Sequence, residues 1–361
     1  MGTNLTLMQR AIEIAEAGRG KTSPNPFVGC VIVKDGEIVG KGVTQKCGSD
    51  HAEIQALKSA EAKSWGAEMY VTLEPCCFQG RTPACTKAII KAGISKVYIG
   101  IKDPNSRVNG KGIEQLKAAG IEVEEGLNSA EIETQLEYYL TNMKKQRPFV
   151  ILKTAMTLDG YTAGEDSSSK WISGEQSRRI VHDLRSEVDA IITGIGTVIK
   201  DDPELNNRNE IKCKQPVRVV LDNNLRIPLD RKLVKSSLQQ STIVFCNKNA
   251  DESKAIKLEE MGVEVIKQPV ERLDAVEVLA ELYAREISVV MLEAGETLSS
   301  NFERQGLIDK YYFFIAPQIL GNGKKIFSLT EHKGMTQRHL LRYQSVSRIG
   351  DDILIIAYPK R

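Results

Sequence analysis

The sequence predicts an α/β protein of two domains, residues 1–147 and 148–361. At 361 residues the chain is long enough for two domains, and its 41% hydrophobic and 27% charged residues are ordinary for globular proteins. In both halves, apolar runs of strand length alternate with segments of helical spacing. Between the halves, a basic helix end at Lys144 to Arg147 meets Pro148, which cannot continue a helix, and a new apolar strand follows.

The first half opens with an amphipathic helix whose apolar residues repeat at helical spacing from Leu7 to Ala15. Asp35-Gly36 then predicts a type I′ hairpin between two strands, because both of its central residues must adopt positive φ angles. The strands expected here are 27–34, 37–42, 68–73, 96–101 and 121–125, with helices after His51, after Cys85, at 112–119 and near 129–145.

The second half predicts mixed α/β structure. Gly194-Ile195-Gly196 follows a strand, but Ile199 stands where a Rossmann motif needs its last glycine, so a Rossmann dinucleotide site is not expected. Glu293 to Leu298 turns from a strand into a helix start, which fits either a pyrophosphate-binding loop or an ordinary glycine turn. The expected strands are 149–155, 190–194, 217–222, 241–246, 263–266, 288–293, 310–316 and 352–358.

Charge and cysteine content restrict the class of function. The 49 basic and 47 acidic residues give a net charge of +2, which provides no electrostatic basis for binding nucleic acid or a membrane surface. Seven cysteines, an odd number, fit a reducing compartment better than a disulfide framework. The amphipathic first helix carries Arg10, Glu13 and Glu16, so it is not the continuous apolar segment that a signal peptide contains. We therefore expect a cytoplasmic enzyme with a small-molecule substrate.

His51-Ala52-Glu53 and the later Cys76 and Cys85 predict a catalytic zinc site. One imidazole and two thiolates leave the fourth tetrahedral position of Zn²⁺ open for water, and Glu53 would carry protons without binding the metal. A Cys-x-x-Cys spacing would place a ligand at Gln79, which has no thiol, so Cys85 is the next candidate. Cys77 is expected to be a spectator. Both halves of the motif open helices, whose N-termini favour thiolates.

These motifs resemble the bifunctional deaminase/reductase family of riboflavin biosynthesis, and the likeness runs from end to end. In the first half it rests on the following segments: 24–29, 51–53, 76–85 and 103–105. In the second half the matching segments are Lys153, 158–160, 169–173, 182–185, 194–198 and 201–203. The resemblance implies a cytidine-deaminase-like three-layer α/β/α domain and a dihydrofolate-reductase-like α/β domain. It also implies one zinc ion per chain and NADPH as cofactors.

By this resemblance, the first domain deaminates a diaminopyrimidine ribosyl phosphate, and the second reduces its ribosyl group to ribityl. The residues expected to hold the deaminase substrate are Asn25, Arg81, Thr82, Asp103 and Asn105. In the reductase, Lys153 is expected to stabilise charge during hydride transfer. The other expected substrate contacts are Ser169, Arg185, Leu205, Arg208 and Glu293. The expected cofactor contacts are Ala155, Trp171, Thr197, Asp201, Asn223 and Gly295.

The chain departs from the family pattern only in the deaminase half, at Thr44, Gln55, Phe78 and Ala84. One alternative is therefore a deaminase domain with another substrate, or without activity, beside a working reductase. A nucleoside or tRNA deaminase fused to a reductase, a reductase with a structural zinc domain, and a non-catalytic ligand-binding regulator are three further readings. Fused sequential enzymes commonly form homo-oligomers, which we also expect here.

Overall fold

The computed structural model describes residues 3–166, 168, 171–208, 214–329 and 334–360. The described chain divides after Arg147 into two compact units, each with its own hydrophobic core. None of the described helices is long and apolar enough to cross a membrane.

The first unit is a mixed sheet covered by helices. Its strands are β1 (Gly29–Lys34), β2 (Glu37–Val43), β3 (Glu68–Leu73), β4 (Lys96–Ile101) and β5 (Glu122–Glu125), in the order β2-β1-β3-β4-β5. Strand β1 is antiparallel to both neighbours, and β3, β4 and β5 run parallel. The helices are α1 (Thr3–Ala15), α2 (Ala52–Ala60), α3 (Cys85–Lys91), α4 (Lys111–Ala118), α5 (Ser129–Gln135) and α6 (Glu137–Lys145).

Glycines in this sheet show that helices cover both of its faces. A Cβ at Gly29 would lie 1.9 Å from the Ala11 carbonyl oxygen in α1, and a Cβ at Gly42 would lie 2.0 Å from the Ala52 carbonyl oxygen in α2. Gly42 pairs with Cys30, whose side chain points to the face opposite that of Gly29. Helices α1 and α2 therefore pack on opposite faces, which produces the expected α/β/α layers.

The second unit contains a longer mixed sheet. Its strands are β6 (Phe149–Thr157), β7 (Tyr161–Ala163), β8 (Ala190–Gly194), β9 (Val217–Leu221), β10 (Thr242–Cys246), β11 (Glu264–Lys267), β12 (Val289–Leu292), β13 (Lys310–Ala316), β14 (Lys324–Lys325), β15 (Leu341–Ile349) and β16 (Asp352–Pro359). Its helices are α7 (Glu175–Glu187), α8 (Ile195–Asp201), α9 (Lys232–Lys235), α10 (Glu252–Glu260), α11 (Ala275–Ala284) and α12 (Glu296–Arg304).

Among the described residues, nine of these strands form one sheet in the order β11-β10-β9-β8-β12-β6-β13-β16-β15. The pairs from β11 to β13 are parallel, and β16 and β15 add an antiparallel edge. Parallel strands place their carboxyl ends together at one edge, where ligands bind in open α/β sheets.

The predicted elements are present, with three kinds of difference. Strand β1 begins at Gly29 rather than at Phe27, because the Val28 N–H donates to the Thr44 hydroxyl (3.1 Å). The helix expected near 129–145 is two helices, since Leu136 leaves helical geometry at φ −99°, ψ 16°. Strands β7, β14 and β15 were not predicted, because β7 and β14 have only three and two residues and no residue of β15 is buried.

Candidate active sites

Three ligand side chains converge in the first unit. His51 is the N-cap residue of α2, Cys85 is the first residue of α3, and Cys76 lies beyond the end of β3. The His51 Nδ1 atom is 3.6 Å from Cys76 Sγ and 3.3 Å from Cys85 Sγ, and the three ligand atoms lie within 4.8 Å of one another. Tetrahedral zinc with ordinary bond lengths separates N and S ligands by about 3.6 Å. The donor set and its spacing fit Zn²⁺.

Cys77 does not belong to this cluster. Its thiol points instead to the Arg107 carbonyl oxygen at 3.5 Å, and the metal-binding group found in the described residues contains only His51, Cys76 and Cys85. Three protein ligands leave a coordination position for water, as catalytic zinc sites require, whereas structural zinc sites are closed by four.

The ligands stabilise a shared negative charge. Hydrogen bonds from the Cys85 thiol and then from His51 lower the pKa of Cys76 to about 4. The hydrogen bond to Cys76 raises the pKa of His51 to about 9, and the Cys85 backbone N–H also donates to Cys76 Sγ at 3.3 Å. Thiolates are the form that binds metal, so the lowered pKa of Cys76 favours ligation. The hydrogen bond with Cys76 raises the pKa of the Cys85 thiol, so a metal ion must displace the protons of Cys85 and His51 when it binds.

Glu53 lies in the first turn of α2 and is buried, with 4% of its surface exposed. Burial raises its pKa, and its carboxyl group hydrogen-bonds with the Cys85 thiol. A buried carboxyl beside the ligands, with a pKa above its usual range, can both accept and return a proton.

A loop after β4 brings Asp103 and Asn105 to the same region. The Asp103 carboxylate accepts from the Asn105 N–H (2.8 Å) and from the Tyr139 hydroxyl (2.8 Å). Burial raises the pKa of Asp103 to about 6. Tyr138, beside Tyr139 on α6, donates to the Asn25 carbonyl oxygen at 3.1 Å. Helix α6 therefore contacts both segments that carry the expected base-binding residues, and sequence patterns gave no sign of this role.

The loop between the two cysteines carries Arg81 and Thr82. Arg81 is exposed and donates to Cys47 Sγ at 2.7 Å, and the Thr82 carbonyl oxygen accepts from the Gly80 N–H. Phe78 lies under the guanidinium group of Arg107, whose central carbon is 3.7 Å from the ring centroid. Phe78 is one of the residues at which the chain departs from the family pattern.

The other departures from the family pattern have local structural roles. The buried Thr44 hydroxyl accepts from the Val28 N–H, and Gln55 donates to Asp50 at 2.6 Å, next to His51. Ala84 is the buried N-cap residue of α3. None of these residues displaces a zinc ligand or Glu53.

The second unit contains a large cleft at the carboxyl ends of its parallel strands. Its volume is about 1230 Å³, which exceeds the usual upper size of small-ligand pockets, about 1,000 Å³. The expected site residues that line it are Lys153, Ala155, Trp171, Arg185, Thr197, Asp201, Arg208, Asn223, Glu293 and Gly295. Leu205 is buried outside this lining, and Ser169 lies outside the described residues.

An ion cluster forms the floor of one part of the cleft. Arg185 binds the Glu293 carboxylate through two nitrogens, at 2.8 and 3.1 Å, and Lys153 Nζ lies 3.5 Å from Glu293 Oε2. Although burial opposes ionisation, the charges of Arg185 and Lys153 hold the pKa of Glu293 at about 2. The carboxylate therefore fixes the Lys153 ammonium at the cleft wall.

His182, which was not predicted as a site residue, also lines the cleft and accepts from the Arg208 N–H through Nδ1.

Another part of the cleft offers backbone surface to a ligand. A Cβ at Gly196 or at Gly295 would meet no atom within 4 Å, so both glycines border open space. Gly295 is the N-cap residue of α12, whose first N–H groups lack helical partners and can bind a phosphate. These features fit a dinucleotide cofactor.

Two arginines line the cleft near Asn223. Asn223 accepts from the Leu273 N–H (2.9 Å) and donates to the Glu271 carbonyl oxygen (3.2 Å), so its side chain joins two loops. Arg226 and Arg272 extend from these loops into the lining. Sequence patterns missed both arginines, since neither belongs to a recognisable motif.

Comparison with known proteins agrees with both sites. Residues 1–101 match the cytidine and deoxycytidylate deaminase zinc-binding region, and residues 148–355 match the RibD C-terminal domain. The protein is thus a zinc deaminase joined to a reductase, with Zn²⁺ and NADPH as its cofactors. The riboflavin biosynthesis protein RibD of Aquifex aeolicus is 41% identical over 96% of both chains, and that of Escherichia coli is 36% identical over 96% of this chain and 97% of its own. The chain belongs to the RibD family of riboflavin biosynthesis proteins.

Solved structures support the same assignment. The Acinetobacter baumannii RibD structure matches with a TM-score of 0.90 and 38% identity over 99% of both chains. A Thermotoga maritima diaminohydroxyphosphoribosylaminopyrimidine deaminase/5-amino-6-(5-phosphoribosylamino)uracil reductase matches with a TM-score of 0.87 and 35% identity over 99% of both chains. The expected fold classes, cytidine-deaminase-like and dihydrofolate-reductase-like, are confirmed.

Proposed function

We propose that this chain catalyses two successive reactions on 2,5-diamino-6-ribosylamino-4(3H)-pyrimidinone 5′-phosphate. Residues 1–147 remove the ring amino group by hydrolysis, and residues 148–361 then reduce the ribosyl group to ribityl. The observation that carries this proposal is the convergence of His51, Cys76 and Cys85 beside the buried Glu53. A three-ligand site with a neighbouring proton carrier suits hydrolytic deamination.

In the deaminase unit, the protein positions the substrate and moves protons. His51, Cys76 and Cys85 would hold Zn²⁺, which would supply an activated water for attack on the ring carbon that bears the amino group. Glu53 accepts one proton of this water and delivers it to the ring nitrogen as the new C–O bond forms. It then takes the second proton from the added hydroxyl and delivers it to the amino group, which leaves as ammonia as the C–N bond breaks and the carbonyl forms. Asn25, Asp103 and Asn105 hold the base. Arg81 and Thr82 hold the phosphate, for which a guanidinium provides paired donors.

In the reductase unit, Lys153 stabilises charge at the sugar. NADPH, when bound, would supply the hydride for a new C–H bond at the sugar C1′, while the bond from C1′ to the ring oxygen breaks and that oxygen takes up a proton to become a hydroxyl. Glu293 holds Lys153 at the cleft wall through their ion pair, and Arg185 compensates the carboxylate so that Lys153 remains available to the substrate. Arg208 and His182 complete the substrate side of the cleft. Ser169 stays a predicted substrate contact, and the buried Leu205 can contribute only through its backbone.

The rest of the cleft would hold the cofactor. Ala155, Trp171, Thr197, Asp201 and the Gly295 loop would contact it, and Asn223 would shape its site by joining two loops. Arg226 and Arg272 would receive the 2′-phosphate that distinguishes NADPH from NADH. Within the part of the chain that the structure describes, Arg226 forms an ion pair with Asp222 at the long distance of 3.8 Å, which leaves its guanidinium with donors for an anion.

We further propose that the protein acts in the cytoplasm as a homo-oligomer, and that nucleic acid and membrane are not its partners. The nearly balanced charge supports the latter point.

Two variants test whether the reactions use separate sites. Lys153→Ala should abolish NADPH-dependent reduction and leave ammonia release intact, because Lys153 belongs to the second unit. Glu53→Gln should lose ammonia release but still oxidise NADPH when supplied with the deaminated ribosylaminouracil phosphate. If either variant lost the other reaction while its circular dichroism spectrum was unchanged, the two-site proposal would fail.

A further inference from the structure

The Glu74 carboxylate is buried in the first unit and is not used by the proposed chemistry. Glu74 follows β3 and precedes the zinc ligand Cys76 by two residues, and 3% of its surface is exposed. A buried carboxylate is costly unless hydrogen bonds satisfy its oxygens. Its partners therefore indicate why it is present.

All hydrogen-bond donors recorded on this carboxylate are backbone N–H groups. Oε1 accepts from Gly110 (2.9 Å), Gly112 (3.0 Å) and Ile113 (3.3 Å). Oε2 accepts from Asp103 (3.2 Å) and again from Gly110 (3.0 Å). The two ends of the loop 103–110 are thereby tied to one side chain.

Three of these donors lie at the start of α4. The first N–H groups of a helix have no helical partner, and the N-cap residue of α4, Gly110, has no side chain that could bind them. Glu74 supplies the missing acceptor from another segment of the chain. Its negative charge is also favourable at the positive end of the helix dipole.

Gly112 allows this helix end to approach Glu74 closely. A Cβ at Gly112 would lie 2.3 Å from the Pro75 carbonyl oxygen and 3.1 Å from Glu74 Oε1. Any larger residue would push the start of α4 away from the segment that leads to Cys76.

We infer that Glu74 is the positioning residue that fixes the loop 103–110 relative to the zinc ligands. The loop carries Asp103 and Asn105, so this inference rests on the proposed function insofar as these two residues hold the base. Glu74 lies on the segment that carries Cys76 and binds the loop at both ends. It thereby sets the distance between the bound base and the metal site, and it touches neither substrate nor zinc.

Replacing Glu74 by glutamine tests the inference with little change of volume. An amide has one acceptor oxygen, and its NH₂ group would face backbone donors that need an acceptor. At least one end of the loop would lose its hydrogen bonds. Gly112→Ala disturbs the same contact from the other side, and Glu114→Gln changes an exposed glutamate on α4 as a matched control.

The experiment measures hydrogen exchange, zinc content and both activities in the full-length protein. In Glu74→Gln and in Gly112→Ala, amides in 103–113 should exchange faster while one zinc per chain is retained. The kcat/KM for deamination should fall by about tenfold to a hundredfold, chiefly through KM, because the base is misplaced by a fraction of an ångström. NADPH-dependent reduction and the Glu114→Gln variant should be unchanged.

Each result that would contradict the inference identifies a different part of it as wrong. Unchanged exchange in 103–113 in both variants would refute the clamp itself. Faster exchange with an unchanged KM would show that the loop does not hold the base, which would overturn the positioning role and the proposed parts of Asp103 and Asn105 together. Loss of zinc in both variants would show that Glu74 supports the metal site and not the substrate loop. Should Glu74→Gln not fold, Gly112→Ala alone gives each of these results.

Discussion

The Arg185–Glu293 pair should be a main source of stability in the reductase unit. It joins α7 to the end of β12 across 108 residues of sequence, with both side chains nearly buried, at 11% and 12% exposure. Arg185→Gln removes the cation and leaves the carboxylate with Lys153 at 3.5 Å. The same helix carries an exposed pair, Arg179–Glu175, with 74% and 69% exposure, so Arg179→Gln is a matched control.

The size of the effect follows from the pKa of Glu293. Its folded value is about 2 against an ordinary 4.5, and this difference of about 2.5 pKa units corresponds to about 3 kcal/mol. Removing one partner of a buried ion pair typically costs about 3–5 kcal/mol, which agrees. The exposed control pair should contribute less than about 1 kcal/mol to the free energy of unfolding.

The sign of the pH dependence is fixed by the lowered pKa. The unfolded chain protonates Glu293 near its ordinary value, whereas the folded protein keeps it ionised down to about pH 2. The stabilisation is therefore complete above about pH 5 and is lost as the pH falls toward 2. Arg185→Gln should lose much of this acid sensitivity in the second unit.

Urea unfolding at pH 7 and pH 4 would measure both effects. Hydrogen exchange resolved by mass spectrometry reports β12 separately from β3, so the first unit serves as an internal reference. The reasoning would be refuted if Arg185→Gln lowered the free energy of unfolding reported by β12 by no more than Arg179→Gln does.

Three further predictions concern the metal, the cofactor and the pH profile. Cys85→Ser should lose most of its zinc while Cys77→Ser keeps one ion per chain, as measured by atomic absorption; full zinc in the first variant would exclude Cys85 as a ligand. Arg226→Gln should weaken binding of NADP⁺ by about tenfold, through loss of one charged contact, without weakening NAD⁺; calorimetric titration that showed equal losses for both would remove its proposed role. Deamination should decline as the pH falls through about 6, where Asp103 protonates, and Tyr139→Phe should move this decline to higher pH because it removes a donor that favours the carboxylate. An unmoved profile would mean that another group titrates.

The zinc-ligand cluster could be predicted from the sequence because its parts are local patterns. His51 and Glu53 begin one helix, Cys85 begins another, and the segment before Cys76 is a mostly apolar run of strand length. The Glu74 contacts could not be predicted, since they join residues 29 to 39 positions apart through a tertiary fold. Backbone donors leave no signature in side-chain patterns.

In the second unit, the family resemblance assigned both Arg185 and Glu293 to substrate binding but did not show that they bind each other. Asn223 lines the cleft and stays a predicted cofactor contact, but the resemblance did not show that its side chain also joins two loops. Strand β15 was missed because it is an edge strand with no buried residue, so hydrophobic periodicity does not mark it.

The central claim, that one chain performs both reactions in sequence, is tested most directly by mass analysis of products. The wild-type protein is incubated with the diaminopyrimidinone ribosyl phosphate, first without and then with NADPH. Without NADPH we expect ammonia and the deaminated ribosylaminouracil phosphate, and with NADPH the ribityl product. Absence of deamination in both reactions, or reduction that yields no ribityl product, would contradict the account.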